Sequence, residues 1–309
     1  MPLTLIGLDL SRLLRLCAVE GGSTLYLMSH ARPALRVRGD IRILQDERAM
    51  SPRDIDEALI DFIPTDALDS AATTFARDIH GVGRVTCRAL QDHRGPGVIF
   101  AMTPTSVLVA TRLDLSPTAL GLCDEPDGLV LVTGARGAGK STLLAALVEH
   151  AMQNRRDFIV TIDEGIRVVH ESSRSLVSQR EATGEGQAAA IHAAMDESAD
   201  IVAVDELRTE EAARLALRAA SSQLVLCALR AADAPSAVDA FVKLFPAEER
   251  AHVRETLAHA LRGVIAQRLV RRNGEGRKAV RDLLLNTPAA SAMIAAGSLP
   301  DLSSALESA

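Results

Sequence analysis

Gly134-Ala135-Arg136-Gly137-Ala138-Gly139-Lys140-Ser141 is the stretch on which the reading of this chain turns. It matches the pattern of a phosphate-binding loop: Gly, four residues, Gly-Lys-Ser. The run Gly128-Leu129-Val130-Leu131-Val132-Thr133 before it reads as a buried strand. Residues 141–154 after it read as a helix, with Leu143, Leu144, Leu147 and Val148 on one apolar face. Glycines let successive backbone N–H groups converge on one point, and the helix N-terminus adds positive potential there. Residues 134–142, from Gly134 to Thr142, would therefore cradle a polyphosphate. Lys140 would reach its β- and γ-phosphates, and the Ser141 hydroxyl would sit on a magnesium ion. The expected ligands are ATP and Mg2+. Arg136, inside the loop, either faces solvent or touches phosphate or a neighbouring subunit.

Working outward, strand candidates at 128–133, 158–162, 200–204, 223–229 and 279–285 alternate with helices. That rhythm implies a parallel sheet covered on both faces. A helix over 247–262 would turn Val253, Leu257 and Leu261 to the core, and Ala-rich helices at 288–296 and 301–307 close the chain. Upstream, residues 1–115 read as a separate α+β domain. Its elements are a helix over 8–19, strands at 24–28 and 34–44 (the second folded at Gly39-Asp40), a helix over 52–62 capped by Ser51, a helix from Thr65 to about Phe75, and strands at 82–90 and 98–103. Residues 116–127, with Pro117, Gly121 and Asp124-Glu125-Pro126-Asp127, read as the linker to a second domain, 128–309.

The bulk composition bounds the function. At 309 residues, 48% of them hydrophobic and 24% charged, the chain has material for two globular cores. Aromatics are only 2% with no Trp, so those cores must be aliphatic. A net charge of −6 disfavours a nucleic-acid groove or a polybasic lipid-binding face. Cys17, Cys87, Cys123 and Cys227 form no Cys-x-x-Cys pair and read as the reduced thiols of a cytosolic protein. No apolar run reaches membrane-spanning length, so direct insertion is not expected and work at a membrane would need a recruiting partner.

Hydrolysis needs carboxylates at a neighbouring strand end. Ile201-Val202-Ala203-Val204 runs into Asp205-Glu206, placing Asp205 for the metal and Glu206 for water; an ordinary acidic strand end is the alternative. Asp163-Glu164 ends the run 158–162 and offers a second pair, or else a surface turn opened by Gly165. Arg230, one residue past the strand Val225–Leu229, is a γ-phosphate sensor or an exposed loop arginine. The histidines show no metal spacing.

Read in order, the phosphate loop, Thr161-Ile162-Asp163-Glu164, Gln179-Arg180-Glu181, Ile201 to Arg208 and Phe245-Pro246-Ala247-Glu248-Glu249 resemble the hexameric pilus-retraction ATPases of type IV pili (the PilT/PilU type), within the type II/IV secretion ATPase superfamily. The resemblance spans about residues 10–297. At Ile265-Ala266-Gln267-Arg268-Leu269-Val270, Gly276-Arg277 and Leu284-Leu285-Asn286-Thr287-Pro288 it looks closer to the accessory, PilU-like branch. It implies a PAS-like N-terminal domain and a RecA-like ATPase domain in a hexameric ring, with nucleotide between the domains. It also implies a cytoplasmic motor held peripherally at the inner membrane by a pilus platform protein. Asp163 and Glu164 fall on the family's aspartate box, Asp205 and Glu206 on its Walker B motif, with Glu206 on the catalytic glutamate; Arg208 matches the family position after Walker B, a surface ion pair being the alternative.

The departures are specific. The aspartate box keeps both carboxylates in swapped order, which displaces each by one methylene, about 1.5 Å. Asp205 stands where the family has Gly. Gln223 and Arg230 replace the histidine-box histidines, and Ala101, His192 and Asp196 stand where arginines are expected. The charged C-terminal segment is the bland run of residues 289–296. Binding residues survive while transition-state cations change, so the expected protein is an accessory retraction motor with weak or partner-dependent hydrolysis. A non-hydrolysing scaffold on an active homologue is the alternative.

Overall fold

The computed structural model describes residues 9–37, 39–62, 74–79, 82–103, 113, 115–271 and 277–308. The fold is α/β and divides into two compact units, Met1–Thr105 and Ser106–Ala309.

The first unit runs α1 (Leu10–Val19), β1 (Gly22–Met28), β2 (Ala34–Val37), β3 (Asp40–Ile43), α2 (Pro52–Phe62), β4 (Thr74–Ile79), β5 (Gly83–Asp92) and β6 (Gly95–Met102). Its strands form one antiparallel sheet in the order β3-β2-β1-β6-β5-β4. Leu13 and Leu14 of α1 and Ile55 and Phe62 of α2 are buried with Leu25, Leu27, Val98 and Phe100 of the sheet. Phe62 meets Phe100 edge-on at 5.1 Å. The helix expected from Thr65 lies outside the described residues up to 73, and its end is corrected. Thr74 and Phe75 begin β4, pairing Arg88 and Cys87 of β5, because an aromatic beside a β-branched residue suits an edge strand better than a helix end.

The second unit runs α3 (Pro117–Gly121), β7 (Gly128–Thr133), α4 (Lys140–Asn154), β8 (Phe158–Asp163), β9 (Leu176–Glu181), α5 (Glu185–Asp196), β10 (Ile201–Val204), α6 (Glu210–Ala219), β11 (Leu224–Leu229), α7 (Ala234–Lys243), α8 (Arg250–Ala260), β12 (Leu261–Arg271), β13 (Arg277–Leu285), α9 (Pro288–Ala296), a 3-10 helix (Leu299–Ala305) and β14 (Leu306–Ser308). The sheet order is β14-β13-β12-β7-β11-β10-β8-β9, parallel from β12 to β9 and antiparallel at β13 and β14. Side chains alternate between two cores. Leu129, Leu131, Val202, Val204, Val225 and Cys227 pack toward α5–α9, while Val130, Val132, Ile201, Ala203, Leu224 and Leu226 pack toward α3 and α4. Burial on both faces explains why these strands read as unbroken apolar runs.

Three sequence expectations change. Residues 116–127 do not span open space: Ser116 caps α3, and Ala119, Leu122 and Cys123 are buried against α4 and the sheet. The expected 247–262 helix ends at Ala260, where Leu261 opens β12 beside β7. The expected 301–307 helix is a 3-10 turn followed by β14, whose Leu306 pairs with Leu284.

Candidate nucleotide site

β7 is an interior strand, and the loop 134–139 leaves its C-terminal end straight into α4. The loop bends through left-handed glycines, Gly137 at φ 77° and Gly139 at φ 87°, which a Cβ would strain. Gly139 caps α4 with no side chain over the helix N-terminus, so the first N–H groups stay directed at the loop's concave side. Lys140 is 7% exposed, and its Nζ donates to the carbonyls of Gly134 at 3.1 Å and Ala135 at 3.3 Å. Burial pulls its pKa down, and the charge of Glu206 acts against that. Ala135, Arg136, Gly137 and Thr142 are exposed.

Four carboxylates converge at the ends of the adjacent strands β8 and β10, which pair Ile162 with Val204. The Ser141 hydroxyl donates to Asp205 at 2.9 Å, and Asp205 is 5% exposed. This hard-oxygen pair fits Mg2+, which commonly takes one or two protein ligands and completes its shell with phosphate and water. No cluster of three or more His, Cys, Asp or Glu suited to a metal occurs among the described residues. Glu206 is a non-glycine residue at φ 57°, a conformation that costs on the order of 1–3 kcal/mol. The buried Gln187 of α5 holds that turn, donating to the carbonyls of Asp205 at 3.1 Å and Glu206 at 3.4 Å.

Two arginines grip Glu206. Arg230 pairs with Oε1, while Arg208 lies 3.2 Å from Oε2 and reaches Glu164 at 2.5 Å. Burial pushes the Glu206 carboxyl up, but hydrogen bonds from Arg230 and Arg208 outweigh it and leave its pKa lowered. The carboxylate is thus a base held ionised. Asp163 goes the other way, to about 6, because it is buried and faces Asp205 and Glu181, against a 2.8 Å hydrogen bond from Thr161.

The structure therefore brings Lys140, Ser141, Asp163, Glu164, Asp205, Glu206 and Arg230 to one sheet edge. It does not bring Gln223, which lies before β11 at the opposite edge and donates to Ala199 O at 2.5 Å. His192 lies on α5 and faces Asp196 at 3.0 Å. Sequence reasoning missed Gln187 and Gln267. The second stood within the run 265–270 quoted for the resemblance, but nothing in the sequence joined it to the phosphate loop.

Residues 111–296 match the model of the type II/IV secretion system protein family. Over 307 residues the chain is 34% identical to the type IV pilus retraction ATPase PilT of Pseudomonas aeruginosa, spanning 97% of this chain and 89% of that protein. It is 28% identical over 303 residues to the type IV pilus ATPase PilU of the same organism, spanning 96% and 79%. The crystal structure of the pilus retraction motor PilT with bound ADP superposes with a TM-score of 0.84 at 30% identity, over 94% of this chain and 88% of that one.

Proposed function

The chain belongs to the type II/IV secretion system protein family, among the pilus-retraction ATPases, and on that premise we propose that it binds Mg·ATP and hydrolyses it slowly as an accessory, ring-forming subunit of a pilus-retraction motor. The observation that carries this reading is the arrangement of Lys140, the Ser141–Asp205 pair and Glu206 around one loop. Loop N–H groups and Lys140 hold the phosphates. Bound Mg2+ would neutralise their charge. Glu206 orients a water and takes its proton as the oxygen attacks the γ-phosphorus and the bond to ADP breaks. Arg230 and Arg208, which hold Glu206, would supply positive charge to the developing transition state. The accessory role rests on the departures at Ala101, His192, Asp196, Gln223 and Arg230 and on the motifs at 265–270 and 284–288 rather than on overall similarity, since identity to PilT exceeds that to PilU. Its partners would be further copies of itself or an active homologous motor, docked in the cytoplasm on an inner-membrane platform protein.

A second reading has one observation in its favour: both Glu206 oxygens are taken by arginines, as suits a non-hydrolysing scaffold. Phosphate release by the wild type, Lys140→Ala and Glu206→Gln, alone and with an active homologue, separates the two. The motor reading expects Lys140→Ala to lose binding and turnover. It expects Glu206→Gln to keep binding while turnover falls about 10²–10⁴-fold. Equal rates for all three in both settings would leave the scaffold.

A further inference from the structure

We propose that Gln267 and Arg281 are positioning residues of the phosphate loop: a relay from the β12–β13 hairpin fixes the Ala138–Gly139 peptide so that the Gly139 N–H faces the bound phosphates. The inference deepens the nucleotide reading above and rests on it.

Both side chains are buried, Gln267 at 3% and Arg281 at 5% exposure, and they stand opposite each other in the hairpin register. Arg281 Nε donates to Gln267 Oε1 at 2.8 Å, and Gln267 Nε2 donates to Ala138 O at 2.7 Å. The order of this chain matters. An amide by itself can present either its oxygen or its NH2 group, but a guanidinium only donates. Arg281 therefore dictates which end of the Gln267 amide reaches the loop.

The peptide between Ala138 and Gly139 is planar and trans, so its C=O and N–H point in opposite directions. Pinning the carbonyl against β12 turns the Gly139 N–H to the concave side of the loop. Two loop glycines answer to the same residue. A Cβ on Gly139 would lie 2.8 Å from Gln267 Nε2, and one on Gly134 would lie 2.3 Å from Gln267 O. At Gly134 the Gln267 backbone leaves no room for a Cβ, and at Gly139 the left-handed backbone requires glycine while the Gln267 amide lies close beneath it.

The test compares Gln267→Glu, Gln267→Met and Arg281→Met with the wild type and with Lys278→Ala, an exposed position on the same hairpin. Calorimetry gives Kd for Mg·ATP and Mg·ADP, steady-state rates give KM and kcat, and melting without nucleotide reports the fold. Both Gln267 variants are expected to raise Kd for both nucleotides about ten- to a hundredfold, with KM moving in step and Lys278→Ala unchanged. Gln267→Glu is the discriminating case, since it still accepts from Arg281 yet cannot donate to Ala138 O. A relay needs it to bind as poorly as Gln267→Met. Wild-type binding by Gln267→Glu overturns the proposal; because its carboxylate also repels phosphate, weak binding supports the relay only where the neutral Gln267→Met binds as weakly. If the Gln267 variants fail to fold, Arg281→Met carries the test, because it frees the amide to turn; wild-type affinity there also overturns the relay. A wild type that binds no Mg·ATP removes the nucleotide reading and the relay together, whereas variants that bind as tightly as a nucleotide-binding wild type remove the relay alone.

Discussion

Asp163 shows how a single residue carries information that its motif does not. The sequence places a carboxylate at the end of β8, but its protonation is set by burial and by the neighbouring Asp205 and Glu181, which raise its pKa to about 6 from 3.8. The unfolded chain gives up this proton first as pH rises, so the native state loses stability between pH 3.8 and about 6 and carries the full loss above. Asp163→Asn, which keeps an acceptor for Thr161, should stabilise the protein at pH 8 by on the order of 2–3 kcal/mol, with the gain gone near pH 4. Denaturant unfolding at both pH values measures this, and an equal difference at the two would refute the shift. Glu206 was legible as the base candidate from its place after an apolar strand. Arg208 and Arg230 were legible as candidates, but not their ion pairs with Glu206: Arg208 turns back on it from two residues on, and Arg230 reaches it from the end of β11.

At the scale of one element, α2 was readable from Ser51-Pro52 because its start signals are local. The structure adds a reciprocal cap: Ser51 N donates to Asp54 at 2.7 Å, and Asp54 N donates to Ser51 Oγ at 3.3 Å. The Asp54 carboxyl is held well below its usual range, chiefly by hydrogen bonding to Arg48, with the Ser51 hydroxyl and N–H assisting against burial. Its contribution is present above pH 3.8 and is lost as pH falls below it. Asp54→Asn should therefore cost about 1 kcal/mol at pH 7, a modest figure because Arg48 is half exposed, and progressively less in acid. A cost that does not shrink at low pH would assign the effect to packing instead. By contrast β9 and β12 escaped the sequence reading. The first is a polar edge strand, and the second begins inside a helical apolar rhythm that stops only where Leu261 finds β7.

Across the whole molecule, the Ala-rich composition becomes two cores on either side of one sheet and a third in the first unit. All four cysteines end inside them, unpaired, and burial pushes Cys87, Cys123 and Cys227 up to about 12 and Cys17 to about 11. None should react readily with a thiol reagent in the native protein at pH 8, and all four should react in denaturant. Rapid native labelling of any of them would contradict the packing. The loop 134–141 and its strand–loop–helix setting were fixed by contiguous residues, since phosphate-loop geometry needs only glycine freedom, a lysine and the helix that follows. The meeting of Ser141 with Asp205 was expected through a shared metal, but the direct hydrogen bond between them, the grip of Arg230 on Glu206 and the side chain that pins Ala138 belonged to the tertiary structure. Those partners lie far apart in the chain and become neighbours only through the strand order β12-β7-β11-β10-β8, which no local pattern encodes.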